Sequence, residues 1–305
     1  MKINTVAVIG AGAVGAYFNT GLTERLGDRL MVIAEGARAE RLKRDGLIVN
    51  DRQFHFNVCT PEEAGKVDLV IVSVKYGALK EILPMIETLT GEHTIVMSVL
   101  NGVDSEEVIA KRIGEEHMIY SVMKIASRRT EQIRYNPDIT LGVFFGEKDG
   151  SISERILAIR DLFEGTPVHY QIRENIIQEI WYKYALNVSR NIPQAILCCG
   201  YGAYLTSEHV AAISDRMREE VVRVAAAKGI DISDPDNAAG KNVDLPPDAR
   251  FSTLQDLDAR RPTEVDMFCG TMVRLGRELG VPTPFNEFAL HAVKALEEKN
   301  RGIFE

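Results

Sequence analysis

The stretch Val6-Ala7-Val8-Ile9-Gly10-Ala11-Gly12-Ala13-Val14-Gly15-Ala16 restricts the fold of this chain more than any other. A short, largely β-branched run leads into glycines spaced G-x-G-x-x-G, and a helical pattern follows at once, from about Ala13 to Leu26. A strand, a tight turn and a helix N-terminus are predicted. Each glycine has its own task there. Gly10 permits the sharp turn, Gly12 lets the backbone approach a pyrophosphate, and Gly15 lets the helix pack close to the strand. The unpaired N–H groups and positive dipole end of the helix would then face the phosphates, with Ala13 and Val14 in the same loop. A glycine-rich turn without a ligand has the same spacing. The preceding strand, and a second strand with an acidic end, favour the dinucleotide reading.

That second strand, Leu30 to Ala34, ends at Glu35, twenty positions past Gly15. An acidic residue there usually binds the adenosine ribose 2′-OH, which favours NAD(H). Arg38 and Arg41 follow closely and suit a 2′-phosphate instead. Asp68 to Val74 and Thr94 to Leu100 are nearly all apolar, as expected of parallel strands covered on both faces. Lys75 and Asn101-Gly102 stand at their carboxyl ends, where open α/β sheets bind ligands. A solvated lysine and a simple Asn-Gly turn are the plain alternatives. Leu47 to Val49 and Phe54 to Val58 flank Asn50 to Gln53 as a predicted hairpin. His55, between two phenylalanines, is assigned no chemistry. From Met118 to Gly146 short strands separated by polar turns predict an antiparallel extension of the sheet. A helix from about Ser153 to Phe163 and a strand from Val168 to Ile172 complete the domain.

Beyond Glu174 the pattern is helical. In the amphipathic stretch Ile176 to Asn191, the residues Lys183, Asn187 and Asn191 fall at successive i+4 steps and share a face. Asparagine is a mediocre helix former, so this is an unusual stripe for a plain solvent face. Pro193 is expected to kink or end the helix. A helix from Ala211 to Ala227, a loop from Asp234 to Arg250, and a final helical pair broken at Gly280-Val281-Pro282-Thr283-Pro284 follow. The expected fold is α/β: an N-terminal Rossmann-type, doubly wound dinucleotide-binding domain over residues 1–173, and an all-helical C-terminal domain over 174–305.

Composition narrows the partners. With 305 residues, 45% hydrophobic and 26% charged, the chain can bury a real core. A net charge of -8 opposes broad attraction to nucleic acid or an anionic membrane. No apolar run approaches a membrane span, and the N-terminus leads straight into the first strand, leaving no room for a signal peptide. Cys59, Cys198, Cys199 and Cys269 lack metal-ligand spacing, so reduced thiols in a cytoplasmic protein are expected. The six histidines are scattered, so no metal site is expected. No nucleophile elbow supports a hydrolase triad.

Taken in order, these residues resemble the ketopantoate reductase (2-dehydropantoate 2-reductase) family. The resemblance rests on Gly10-x-Gly12-x-x-Gly15, Lys75, Asn101-Gly102, Trp181-x-Lys183-x-x-x-Asn187-x-x-x-Asn191, Ser252-x-x-Gln255-Asp256, Thr263-Glu264-x-Asp266 and Gly280 to Pro284. It implies NADPH-dependent reduction of 2-dehydropantoate to (R)-pantoate, a step in pantothenate synthesis. It also implies Lys183 as general acid, and Asn187, Asn191 and Ser252 holding the substrate. Glu264 would support the substrate hydroxyl or the lysine, and Lys75 and Asn101 would lie on the nicotinamide side. Family members often carry arginine at the end of the second strand, where this chain has Glu35, and asparagine where it has Cys269. The chemistry suits the residues themselves: hydride addition to a ketone leaves negative charge on oxygen, which a positioned ammonium stabilises and protonates. A reductase of another 2-keto acid and a non-catalytic nucleotide-binding redox sensor are the competing readings. A homodimer through the helical domain is a further expectation.

Overall fold

The computed structural model describes residues 1–125, 127–129, 132–234 and 245–305. The described chain divides into two compact units, Met1–Ile176 and Ile177–Glu305.

The first unit begins with β1 (Val6–Ile9), α1 (Ala13–Leu26), β2 (Leu30–Ile33) and α2 (Gly36–Asp45). Then come β3 (Leu47–Val49), β4 (Arg52–Phe54), β5 (Asn57–Cys59), α3 (Pro61–Ala64), β6 (Val67–Val72) and α4 (Leu79–Leu89). β7 (Thr90–Ser98), α5 (Ser105–Ile113), β8 (Met118–Lys124), β9 (Ser127–Arg129) and β10 (Ile133–Tyr135) follow. The unit closes with β11 (Gly142–Gly146), α6 (Glu154–Phe163) and β12 (Tyr170–Ile172). Eight strands form one sheet in the order β12-β11-β8-β7-β6-β1-β2-β5. The run from β5 to β8 is parallel, and β11 joins β8 antiparallel. Chain order reverses on either side of β1, which makes the β1/β6 boundary the switch point of a doubly wound sheet. Ligands bind outside the strand carboxyl ends at such a point. β1 and β6 read VAVI and VDLVIV because helices cover both their faces, and all but Asp68 are buried. On one face Val6, Val8, Leu69, Ile71, Ile95 and Met97 pack against Phe18 and Leu22 of α1 and Phe163 of α6. Each such side chain contributes roughly 1.5–3 kcal/mol when fully buried.

Two strand expectations are corrected. The hairpin partner of β3 is β4, with Val49 opposite Arg52, and Asn57–Cys59 instead forms an edge of the large sheet beside β2. The turn is only Asn50-Asp51, at φ +47° and +63°, and short polar side chains tolerate that left-handed backbone. The stretch from Met118 to Gly146 is also not a simple antiparallel extension. β8 ends the run of parallel pairs that begins at β5 and β11 extends it antiparallel, while β9 and β10 join β3 and β4 in a separate four-stranded sheet.

Every described element of the second unit is helical: α7 (Ile176–Leu197, which opens at the unit boundary), α8 (Ala203–Thr206), α9 (Glu208–Ala227), α10 (Ser252–Asp258), a π-helical turn (Asp266–Gly270), α11 (Thr271–Leu279) and α12 (Pro284–Asn300). α7 passes through Pro193 without ending there. Of the expected loop from Asp234 to Arg250, residues 235–244 lie outside the described residues. Trp181, Tyr184, Val188, Val221, Val224, Phe268 and Met272 are buried in this unit. The carboxylate of Glu220 on α9, itself buried, accepts the backbone N–H groups of Phe285 and Asn286 at 2.9 Å each, and the Asn286 amide at 2.7 Å. It thereby satisfies the open N-terminus of α12.

Candidate active site

In the first unit the glycine turn is built against Ser73, which follows β6. Gly10 adopts φ +109°, and a Cβ there would stand 2.6 Å from the Ser73 carbonyl oxygen. The Ser73 hydroxyl lies 3.1 Å from the Ile9 carbonyl and 3.0 Å from that of Gly10, as donor to both. A Cβ at Gly15 would stand 2.0 Å from the Gly10 carbonyl oxygen, so only glycine fits. Gly12 differs: a Cβ there meets nothing within 4 Å. The open space lies at the N-cap of α1, whose first turn carries no acidic side chain and no side-chain cap. Glycine at a position where the protein itself leaves room is the arrangement an approaching pyrophosphate requires. These residues fit a dinucleotide, with Ala13 and Val14 opening α1 in the same loop.

Glu35 is exposed, two positions past β2, and is the N-cap residue of α2 without a side-chain capping bond. Arg38 and Arg41 lie on α2 and are exposed. Lys75, exposed, leads into a short 3-10 turn after β6, and Asn101, half-buried, follows β7. The Asn101 loop rests on polar groups that the sequence pattern does not single out. The Tyr76 hydroxyl donates to Asp104 at 2.8 Å, the Ser98 and Ser105 hydroxyls are 2.8 Å apart, and Ser105 donates to Glu106 at 2.7 Å. Burial pushes the Glu106 carboxyl up to about 7, against the lowering effect of the Ser105 and backbone hydrogen bonds, and the Asp104 charge adds to the rise. In sequence, Glu106 and Glu107 look like ordinary acids of a helix first turn, which conceals the difference between them.

In the second unit, Lys183 and Asn187 are half-buried on α7 and Asn191 is buried. The Asn191 amide donates to the Ser252 hydroxyl, at 3.4 Å. Two expected substrate residues separated by 61 positions therefore meet. Glu264, half-buried, directly precedes the helical turn containing Asp266–Gly270. Tyr184, next to Lys183, donates its hydroxyl to the Phe268 carbonyl within that π-helical turn, and its ring lies 6.2 Å from that of Phe268. This ties the helix of Lys183 to the segment after Glu264. Cys269 is fully buried, and burial pushes its thiol up, further raised by the Glu220 charge; it is a packing residue. Gln194 and Tyr184 are the residues in this unit that the sequence reading passes over. Gln194 was findable, because it continues the Lys183–Asn187–Asn191 stripe once the helix is carried through Pro193.

Two family models match in order. Residues 6–148 match "Ketopantoate reductase PanE/ApbA", and residues 175–297 match "Ketopantoate reductase PanE/ApbA C terminal". The chain belongs to the ketopantoate reductase family. It is accordingly an NAD(P)-dependent oxidoreductase of a CH–OH group. A 2-dehydropantoate 2-reductase of Mesorhizobium japonicum is 26% identical over 324 residues, covering 95% of this chain and 97% of that one. Among solved structures, a PanE/ApbA family ketopantoate reductase from Ralstonia eutropha JMP134 superposes with a TM-score of 0.83 at 24% identity, covering 97% and 99% of the two chains. D-mandelate dehydrogenase in a ternary structure with NADH and anilino(oxo)acetate gives 0.82 at 22% identity, again covering 97% and 99%. The ketopantoate reductase fold, a parallel-stranded α/β unit followed by a helical unit, is the one seen here. Among the described residues no helix is long and apolar enough to cross a membrane, and no group of three or more His, Cys, Asp or Glu is placed to hold a metal ion.

Proposed function

We propose that the protein reduces 2-dehydropantoate to (R)-pantoate with NADPH, a step in pantothenate synthesis, in the cytoplasm. The observation that carries the reading is the polar stripe of α7, with Lys183, Asn187 and Asn191 on one face and Asn191 against Ser252. Gly10, Gly12, Ala13, Val14 and Gly15 hold the pyrophosphate, and Lys75 and Asn101 serve the nicotinamide side. The bound nicotinamide supplies the hydride. Lys183 stabilises the charge developing on the ketone oxygen and then protonates it. Asn187, Asn191 and Ser252 orient the 2-keto acid by hydrogen bonds, and Glu264 supports the substrate hydroxyl or the lysine. Arg38 and Arg41 on α2 support the choice of NADPH, since both suit a 2′-phosphate.

A second reading, reduction of another 2-keto acid with NADH, is favoured by Glu35 and by the D-mandelate dehydrogenase likeness. Steady-state kinetics with 2-dehydropantoate and the keto acid of mandelate, each with NADPH and NADH, separates the two. The highest kcat/KM is expected for 2-dehydropantoate with NADPH. A preference for the aromatic acid with NADH would replace this reading with the second, and no turnover with either acid would overturn both. We also propose a homodimer formed through the helical unit. Pro193, Leu197, Ile213, Met217, Phe285 and Phe288 line an apolar hollow there, and Phe285 and Phe288 are exposed. An exposed apolar patch of this kind suits two-fold pairing with a second copy.

A further inference from the structure

We infer that Gln194 is a positioning residue of the substrate site, fixing the register of the chain that delivers Ser252 to Asn191. The inference rests on the proposed substrate role of Ser252 and Asn191. Ser252 opens α10, but the helix does not anchor itself: its N-cap residue, Phe251, provides no side-chain cap. Gln194 is fully buried one turn beyond Asn191 on α7. Its amide nitrogen donates to the Ala249 carbonyl at 3.0 Å, and its amide oxygen accepts the Phe251 N–H at 2.6 Å. One primary amide thus pairs with the C=O of one residue and the N–H of the residue two further on, much as a neighbouring strand would. A slip of one residue loses both bonds of the buried amide, so the pairing selects a single register. The Tyr201 N–H also donates to Ala249, at 3.0 Å, and holds the same carbonyl from the other end of the turn after α7. Asn191 and Gln194 therefore act from one helix on consecutive parts of one segment. Asn191 touches the residue that is to meet substrate, and Gln194 sets where that residue stands.

Gln194→Met keeps the volume and removes both hydrogen bonds. With 2-dehydropantoate as probe, KM is expected to rise on the order of ten- to a hundredfold, as for a substrate contact displaced by about an ångström. NAD(P)H affinity, read by fluorescence titration, should stay as in the wild type. In a Ser252→Ala background the same substitution should have little further effect, because Gln194 works through Ser252. Gln194→Glu gives an independent readout: its carboxyl keeps the acceptor for Phe251, and only the protonated form can donate to Ala249. The KM of this variant relative to wild type should rise with pH as the carboxyl ionises. An unchanged KM in Gln194→Met, additive effects with Ser252→Ala, or a flat ratio in Gln194→Glu would each overturn the inference. If Ser252→Ala alone leaves KM unchanged, the substrate reading of Ser252 fails, and this inference with it.

Discussion

At the scale of residues, the three glycines of the first turn give opposite expectations. Gly12→Val adds a side chain into open space, so the variant should fold while binding NAD(P)H far more weakly. Gly15→Ala forces a Cβ against the Gly10 carbonyl and should lower the thermal midpoint before any ligand is added. Equal cofactor affinity in folded Gly12→Val would remove the pyrophosphate assignment. Lys183→Ala should cut kcat by on the order of 10² to 10⁴ with NAD(P)H affinity almost untouched, and arginine should not rescue fully, because it yields a proton so reluctantly. A wild-type rate of hydride transfer in stopped flow would end the acid role. Glu106 gives a pH signature. Its folded value of about 7 lies above its ordinary 4.5, so the folded state holds the proton more tightly. Its contribution is then full below pH 4.5 and declines as pH rises through 7, by about 3 kcal/mol. Urea unfolding of Glu106→Gln across that range should show the variant gaining on the wild type as pH rises; a constant difference would mean the carboxyl titrates normally.

At the scale of elements, legibility followed period and length. β1, α1 and β6 could be read because their patterns are long or carry the glycine spacing, and their burial matches what the pattern demands. Among the three-residue strands, β3 and β12 were read, but β4 and β5 were merged into one. β4 and β5 sit three positions apart in sequence yet belong to different sheets, and nothing local distinguishes a hairpin arm from a parallel edge. Of the two outcomes expected at Pro193, a kink or an end, the end does not occur, since α7 stays helical to Leu197. In the candidate site, residues sharing a helix face were legible from spacing, whereas Gln194 with Phe251 and Ser73 with Gly10 depend on chain returns that no local pattern encodes. Glu220 is the same kind of case, 65 positions from the N–H of Phe285 that it accepts. Glu220→Ala leaves the Phe285 and Asn286 N–H groups without their acceptor and should cost about 3 kcal/mol, the scale for leaving buried donors unsatisfied, measured by chemical denaturation. A loss under about 0.5 kcal/mol, the level of an ordinary surface change, would show that α12 is held by packing alone.

At the scale of the whole molecule, the apolar face of the helical unit makes self-association testable. Phe288, 70% exposed, lines the apolar hollow together with Phe285 and Met217. Phe288→Glu should shift the mass measured by light scattering from dimer toward monomer. An unchanged dimer would place the interface elsewhere, and a monomeric wild type would dismiss pairing altogether. The large sheet meets its own surroundings in another way. Both of its outermost strands, Asn57–Cys59 and Tyr170–Ile172, are only three residues long. A foreign strand laid along either margin could complete very few backbone hydrogen bonds. The sheet can be eight strands wide without becoming a seed for fibrous growth, so a crowded solution of this enzyme should resist amyloid-like precipitation for as long as it stays folded.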